Sequence, residues 1–288
     1  MSKMLLIADR GGRCNAIPRG LELARKLGHS VDVVAFCYTS FKPLKINAAQ
    51  RSVFKQKLLQ QREAEVQQFI DRFRRDEQKV SLSVVWQKDV ADWVVKRSSR
   101  TYEYVVKTGE RVDAFAFTST DWRLLRECQR SLLIVSDKKW QRTKPVMAAV
   151  DLASTVPEKI ALNHKVVAQA KALAAALDTE LRIIAAIEIP ELLMDLDLID
   201  PLAYTKQVKG EMKPRLQALA AAHDLPEALF SMKRGPVEKV INSEAAKYRA
   251  QLVVMGTVGK RGIAERLLGN TAEKVLQHLR TDVLAVKI

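Results

Sequence analysis

The chain of 288 residues runs through one order of strands and helices twice, with a period of about 145 residues, so a single folding unit is present in two copies. The first copy opens on the apolar run Met4-Leu5-Leu6-Ile7-Ala8 and ends it at Asp9; the second opens on Val146-Met147-Ala148-Ala149-Val150 and ends it at Asp151. Within each copy strands alternate with helices, which predicts βαβ units and a parallel sheet in an α/β fold. Crossovers in such sheets are right-handed, and ligands sit at the carboxyl ends of the strands. The expected domains are residues 1–137 and 145–288, joined by the polar linker 138–144.

In the first copy, Ile17, Leu21, Ala24 and Leu27 recur at helical spacing and Gly28 can close that helix. Ser30 to Tyr38 reads as a second strand. A long helix follows, from Ala48 to Asp76, then a third strand, Val80 to Trp86, and a short helix, Val90 to Ser99. Tyr104 to Val106 and Ser131 to Val135 are the fourth and fifth strands, with a helix from Asp121 to Cys128 between them, capped by Thr120. The second copy repeats this: helix Ala161 to Leu177, strand Glu180 to Ile187, and helix Gln207 to His223 with Pro214 placed to kink it. Strand Leu229 to Met232, helix Pro236 to Tyr248, and strands Leu252 to Met255 and Val283 to Val286 complete it.

Between the fourth strand and the last helix of the second copy lies Met255 to Thr271, MGTVGKRGIAERLLGNT, with glycines at 256, 259, 262 and 269. Glycine admits positive φ and close approach of the backbone. A glycine-rich turn that ends at a helix N-terminus presents N–H groups and the positive end of a dipole, which suits a phosphate or another anion. An ordinary strand-to-helix loop has the same outline. The stretch is neither a P-loop nor a GxGxxG fingerprint. In the first copy Thr108 falls at Gly256 and Thr118 at Gly269, with nine residues between them instead of twelve. That copy has no glycine cradle, and no nucleotide is expected there; a scaffold or partner surface is the expected role.

Composition narrows the remaining choices. No stretch approaches the run of about 18 apolar residues that a membrane-spanning helix needs, and the N-terminal apolar run is broken at once by Asp9 and Arg10. Three dispersed cysteines and four dispersed histidines form no disulfide framework and no metal spacing, which points to a reducing cytoplasm. The formal charge is +15, and residues 1–143 hold 28 Lys and Arg against 16 Asp and Glu. A basic half can attract nucleic acid, but the cations are dispersed with no aromatic-rich recognition motif, so nucleic acid is an unlikely partner.

The glycine spacing Gly256-x2-Gly259-x9-Gly269, with Asp151 at the end of a first strand, resembles the universal stress proteins. The resemblance covers both copies and implies a tandem of two Rossmann-like domains of the adenine nucleotide alpha hydrolase type. Each would be a five-stranded, mostly parallel sheet flanked by helices. It implies roles as well. Asp151 would meet the adenine or ribose side of a nucleotide, and Ile187 would line the base pocket. Met255 and Gly256 would approach the ribose; Gly259, Gly269, Asn270 and Thr271 would contact phosphates through backbone N–H groups. The ATP-binding pattern of the family has Ser or Thr after the last glycine. Asn270 stands there instead, with an amide that can donate to an oxyanion, fill the terminal phosphate position or cap the helix.

The segment Glu188 to Pro201, EIPELLMDLDLIDP, alternates acids with large apolar residues. It reads as a packed amphipathic insertion or as a cover over a pocket for an apolar or lipid-like ligand. No catalytic constellation has recognisable local spacing; weak ATP hydrolysis through Asp151 and water, with Lys260 and Arg261 offsetting phosphate charge, is the most that could be built. Three function classes follow: a non-enzymatic stress-response sensor or scaffold with an ATP or other small-ligand site in the second domain, an ATP-hydrolysing switch, and a nucleic-acid-associated protein. The apolar last strands, Leu132 to Val135 and Val283 to Val286, are expected to pair with each other within the chain, with a further homodimer open.

Overall fold

The computed structural model describes residues 2–9, 14–75, 77–98, 101–109, 111–113, 116–117, 119–189, 199–257 and 270–287. The chain divides into two compact units, Met1–Asp137 and Lys138–Ile288.

The N-terminal unit runs β1 (Lys3–Ala8), α1 (Ala16–Leu27), β2 (Ser30–Cys37), α2 (Ala48–Phe73), β3 (Val80–Trp86), α3 (Val90–Ser98) and β4 (Tyr104–Thr108). A short antiparallel pair, β5 (Arg111–Asp113) and β6 (Ala116–Phe117), precedes α4 (Ser119–Glu127) and β7 (Ser131–Val135). Its main sheet has the order β3-β2-β1-β4-β7, parallel at each of these steps. The C-terminal unit runs β8 (Val146–Ala149), α5 (Pro157–Leu177), β9 (Leu181–Ile187), α6 (Pro201–Ala222), β10 (Phe230–Arg234), α7 (Val237–Lys247), β11 (Leu252–Gly256), α8 (Asn270–His278) and β12 (Asp282–Val286). Its sheet, β10-β9-β8-β11-β12, is parallel throughout and repeats the order of the first.

Helices on both faces of a parallel sheet make its central strands continuous apolar runs. Val105, Val106, Val253 and Val254 are wholly buried for that reason. In each unit the strand order reverses between the first and fourth strands, β1 and β4 or β8 and β11, the place where such sheets put their ligand sites.

Several boundaries move, for local reasons. Helix α5 begins at Pro157, ahead of Ala161, and α6 at Pro201, ahead of Gln207, because proline suits the first helical turn. At α6 the Asp200 carboxylate adds a cap, accepting from Leu202 N–H at 2.9 Å. Pro214 lies inside α6, and the helix is assigned through it. Helix α4 starts at Ser119, so Thr120 belongs to its first turn and is not its cap. Gly28 closes α1 with φ of 70°, as its position suggests. The β5–β6 pair has no apolar alternation that would have announced it.

Candidate functional site

In the C-terminal unit the carboxyl ends of β8, β9 and β11 surround a cavity of about 400 Å³. Asp151 follows β8, Ile187 ends β9, and Met255 and Gly256 end β11; all four line this cavity. Three strands distant in sequence therefore deliver four of the expected site residues to one place, at the reversal of strand order. Gly259 and Gly269 lie outside the described residues, as do Lys260, Arg261 and most of the 188–201 segment. Asn270 and Thr271 open α8, and their side chains are likewise outside what is described. Ala272, in the first turn of α8, lines the cavity, so the positive end of that helix borders it.

The turn after β8 is held by side chains that sequence reasoning passed over. Asn163, buried in α5, accepts from Asp151 N–H at 3.0 Å through Oδ1 and donates to the Asp151 carbonyl at 2.8 Å through Nδ2. One amide thus satisfies both backbone groups of Asp151 and anchors the turn that carries its carboxylate. Arg215 of α6 donates through Nη1 to the carbonyls of Leu152 at 2.7 Å and Ala153 at 3.1 Å. The Asp151 carboxylate accepts from Ser154 N–H at 3.1 Å and pairs with Lys159 Nζ at 3.1 Å. Both side chains of that pair are 45% exposed, a setting in which an ion pair contributes little stability and can be exchanged for a ligand's charge. Lys159 also lines the cavity, which places a cation beside the acid. Across the cavity, Glu188 Oε1 accepts from Val237 N–H at 3.1 Å and covers the start of α7.

The wall toward α6 and α7 is apolar: Val208, Met212 and Ile241 face the same space, joined by Val275 of α8. Gly256 has a packing reason to be glycine. A Cβ there would stand 2.6 Å from Leu162 Cγ of α5, so a side chain at 256 would have to displace Leu162 whether or not a ligand is bound.

The corresponding place in the N-terminal unit is filled by charge. Lys107 of β4 stands where Met255 stands, and Asp121 of α4 where Ala272 stands. Lys107 Nζ lies 2.9 Å from Asp121 Oδ1 and 3.8 Å from Oδ1 of Asp9, the counterpart of Asp151. All three side chains are buried, and Lys107 Nζ also donates to the Thr108 carbonyl at 2.8 Å. The Thr108 hydroxyl accepts from Ala16 N–H at 3.0 Å, at the start of α1. Arg62 of α2 donates to the carbonyls of Ala8 and Asp9, much as Arg215 does in the other unit. A cavity of about 320 Å³ remains between β1, α1 and α2, lined by Asp9, Cys14, Arg62 and Phe69 among others. Burial, with Asp9 beside it, pushes the Cys14 thiol up to about 11, so it stays protonated and unreactive.

Among the described residues no group of three or more His, Cys, Asp or Glu is placed to hold a metal, and no helix is long and apolar enough to cross a membrane.

The sequence profile of the universal stress protein family matches residues 143–287. With the duplicated α/β fold and the crevice at the strand ends, this match establishes that the chain belongs to the universal stress protein family. Within it, the chain is similar to universal stress protein E of Escherichia coli K12, 31% identical over 245 residues that cover 83% of this chain and 78% of that protein. It is also 28% identical to the universal stress protein E homolog of Haemophilus influenzae, over 84% of this chain and 81% of that protein. Among solved structures, a protein of unknown function from Pseudomonas aeruginosa PAO1, PA1789, shares the fold over 100% of this chain and 92% of its own, with a TM-score of 0.72 at 19% identity. A universal stress protein from Archaeoglobus fulgidus does so over 99% and 98%, with a TM-score of 0.67 at 18% identity. Family membership supports a role in the stress response.

Proposed function

We propose that the chain is a non-enzymatic stress-response protein whose C-terminal unit senses a small ligand and whose N-terminal unit serves as scaffold. The observation that carries this reading is the meeting of Asp151, Ile187, Met255 and Gly256 on one cavity at the strand ends. The ligand class that suits it is an adenine nucleotide such as ATP. Asp151 offers an acceptor for a ribose hydroxyl or an adenine amine, Lys159 a cation, and the first turn of α8 a positive dipole end. Gly259, Gly269, Asn270 and Thr271 are proposed to complete the phosphate side through their backbone N–H groups. The buried Lys107–Asp121 pair supports confining the site to the C-terminal unit.

Calorimetric titration of the full chain with ATP tests this reading. The expected result is one site per chain, abolished by Met255→Lys, which introduces the side chain that occupies the other unit. Two sites, or undiminished binding in that variant, would count against it. Val208, Met212, Ile241 and Val275 favour a second reading, an apolar or lipid-like ligand in the same cavity. Mass spectrometry of molecules that co-purify with the protein separates the two. Weak ATP hydrolysis is the alternative function, and turnover by the purified chain would establish it. We further propose a cytoplasmic protein in which the two last strands pair, a monomer by sedimentation.

A further inference from the structure

We infer that the N-terminal unit carries a peripheral docking surface for anionic lipid, built from the connection after β2, the first half of α2 and the end of β3. This surface is separate from the ligand cavity. Residues 38–60 contain five Lys and Arg and no Asp or Glu. Residues 38–40, 42–45 and 47–57 are all exposed. Seven large hydrophobic side chains are notably exposed among the described residues, and four of them, Tyr38, Leu44, Val53 and Phe54, fall within this one stretch. Phe54 is 40% exposed and Leu44 49%.

The order of residues matters as much as the composition. Phe41, Leu44 and Phe54 are each followed directly by a lysine, Lys42, Lys45 and Lys55. A lysine lays its aliphatic stem along an apolar surface and lifts its ammonium to the water side. Beside an apolar side chain that enters a lipid interface, the ammonium reaches the phosphate layer. The ring cluster at the end of β3 provides the interfacial aromatics: Phe41 stacks on Trp86 at 5.6 Å and 13°, and Tyr38 meets the same ring at 5.8 Å.

Local bonds hold the surface in shape although the core does not. Asn47 Oδ1 accepts from Gln50 N–H, and Gln50 Oε1 accepts from Asn47 N–H, each at 2.9 Å. That reciprocal cap closes the exposed start of α2. Leu44 N–H donates to the Phe41 carbonyl at 3.0 Å and folds the connection into a turn, while Gln87 N–H ties β3 to the Cys37 carbonyl at 3.1 Å. Single-stranded nucleic acid fits less well. Trp86 already carries Phe41 stacked on it and Lys55 Nζ at 5.5 Å from its centroid, so it offers no open platform for a base. A protein partner would bring a rim of mixed charge, whereas residues 38–60 carry one sign only, which matches a uniformly anionic layer.

Co-sedimentation of the full chain with vesicles tests the assignment, using mixed phosphatidylglycerol–phosphatidylcholine vesicles against phosphatidylcholine alone. Binding to the mixed vesicles only, weakening with salt, is expected. The double variant Leu44→Asp/Phe54→Asp and the triple variant Lys42→Gln/Lys45→Gln/Lys55→Gln should each weaken binding at least about tenfold. Lys206→Gln/Lys213→Gln, equally exposed in the C-terminal unit, should leave it unchanged. If the double variant fails to fold, Phe54→Trp supplies the same information, since brominated lipid should quench it more than it quenches the parent chain with its four tryptophans. Absence of binding to either vesicle overturns the inference. So does equal weakening by the C-terminal variant, which would mean attraction to net charge alone. It is overturned equally if the N-terminal variants lose affinity for oligothymidylate or polyglutamate but keep their affinity for vesicles.

Discussion

Lys107 Nζ of β4 and Asp121 Oδ1 of α4 lie 2.9 Å apart, both side chains buried, at the place in the N-terminal unit where Met255 and Ala272 line the cavity of the C-terminal unit. In one copy of the duplicated fold an ion pair occupies this part of the crevice, and in the other apolar residues line it. Removing the cation alone takes a buried ammonium away from two buried carboxylates, Asp121 at 2.9 Å and Asp9 at 3.8 Å. Lys107→Met is therefore expected to cost about 3–5 kcal/mol. Lys107→Met/Asp121→Ala, which installs the residues of the other unit, should recover part of that loss, because it removes one buried carboxylate together with its cation while Asp9 stays. Hydrogen exchange of the β4 amides reads this locally in a chain of two units. A cost below about 1 kcal/mol for Lys107→Met would show that the pair does not stabilise this unit.

Gly256 and Leu162 make a second testable pair. A Cβ at residue 256 would stand 2.6 Å from Leu162 Cγ, so Gly256→Ala should destabilise by about 1–3 kcal/mol through overpacking. Leu162→Ala alone leaves a cavity and also destabilises. The double variant should be more stable than the sum of the two losses, since each change relieves the other. Thermal unfolding of the four proteins checks the coupling. Additive losses would mean that residue 256 is glycine for a reason other than α5.

Asn163 predicts a different signature, because it touches backbone and not a ligand. Asn163→Ala leaves the N–H and the carbonyl of Asp151 without their side-chain partner, at an expected cost of about 1–3 kcal/mol. If the cavity binds the proposed nucleotide, affinity should weaken as well, because the turn that carries the Asp151 carboxylate loses its anchor. Asn163→Asp keeps the acceptor for Asp151 N–H but sets a carboxylate against the Asp151 carbonyl, and should be at least as damaging. Melting temperature and ATP titration, measured together, separate positioning from plain loss of fold: a variant that melts early yet binds ATP normally would rule out the positioning role.

What could be read from the sequence was what repeats locally. Apolar runs ending at Asp9 and Asp151, and the helical spacing of Ile17, Leu21 and Ala24, depend on neighbours within a few residues, and they led to the α/β order of both copies. The four cavity residues Asp151, Ile187, Met255 and Gly256 were legible through the resemblance to the universal stress proteins, which gives a role to these positions at or just beyond strand ends. Asn163 and Arg215 were not. Arg215 reaches a carbonyl 63 residues away, and a surface arginine on a helix has no pattern that says so. The Lys107–Asp121 pair was hidden for the same reason, although aligning the two copies position by position sets a lysine opposite Met255 and an aspartate opposite Ala272. The start of α6 was misplaced because the cap Asp200 and Pro201 were assigned to the preceding acidic segment.

The contact between His164 of α5 and His223 at the end of α6 predicts an acid limit for the C-terminal unit. His164 Nδ1 and His223 Nε2 lie 3.1 Å apart, a bond that needs one donor and one acceptor and so fails when both rings are protonated. Burial lowers the His223 pKa from its ordinary 6.5, and the neighbouring His164 and Lys171 lower it further, against an opposing pull from Asp224. Lys171 Nζ donates to the His223 carbonyl at 2.6 Å, which keeps that cation close. The folded chain therefore holds His223 neutral where the unfolded chain binds a proton. Stability conferred by this group is complete above 6.5 and is lost as the pH falls from there toward the lower folded value. Helix α6 also carries Tyr204, Val208 and Met212 of the cavity wall, so ligand affinity should fall over the same range. His223→Gln, which cannot titrate, should flatten the decline in melting temperature between about pH 7 and pH 5. An unchanged slope in that variant would show that the acid limit arises elsewhere.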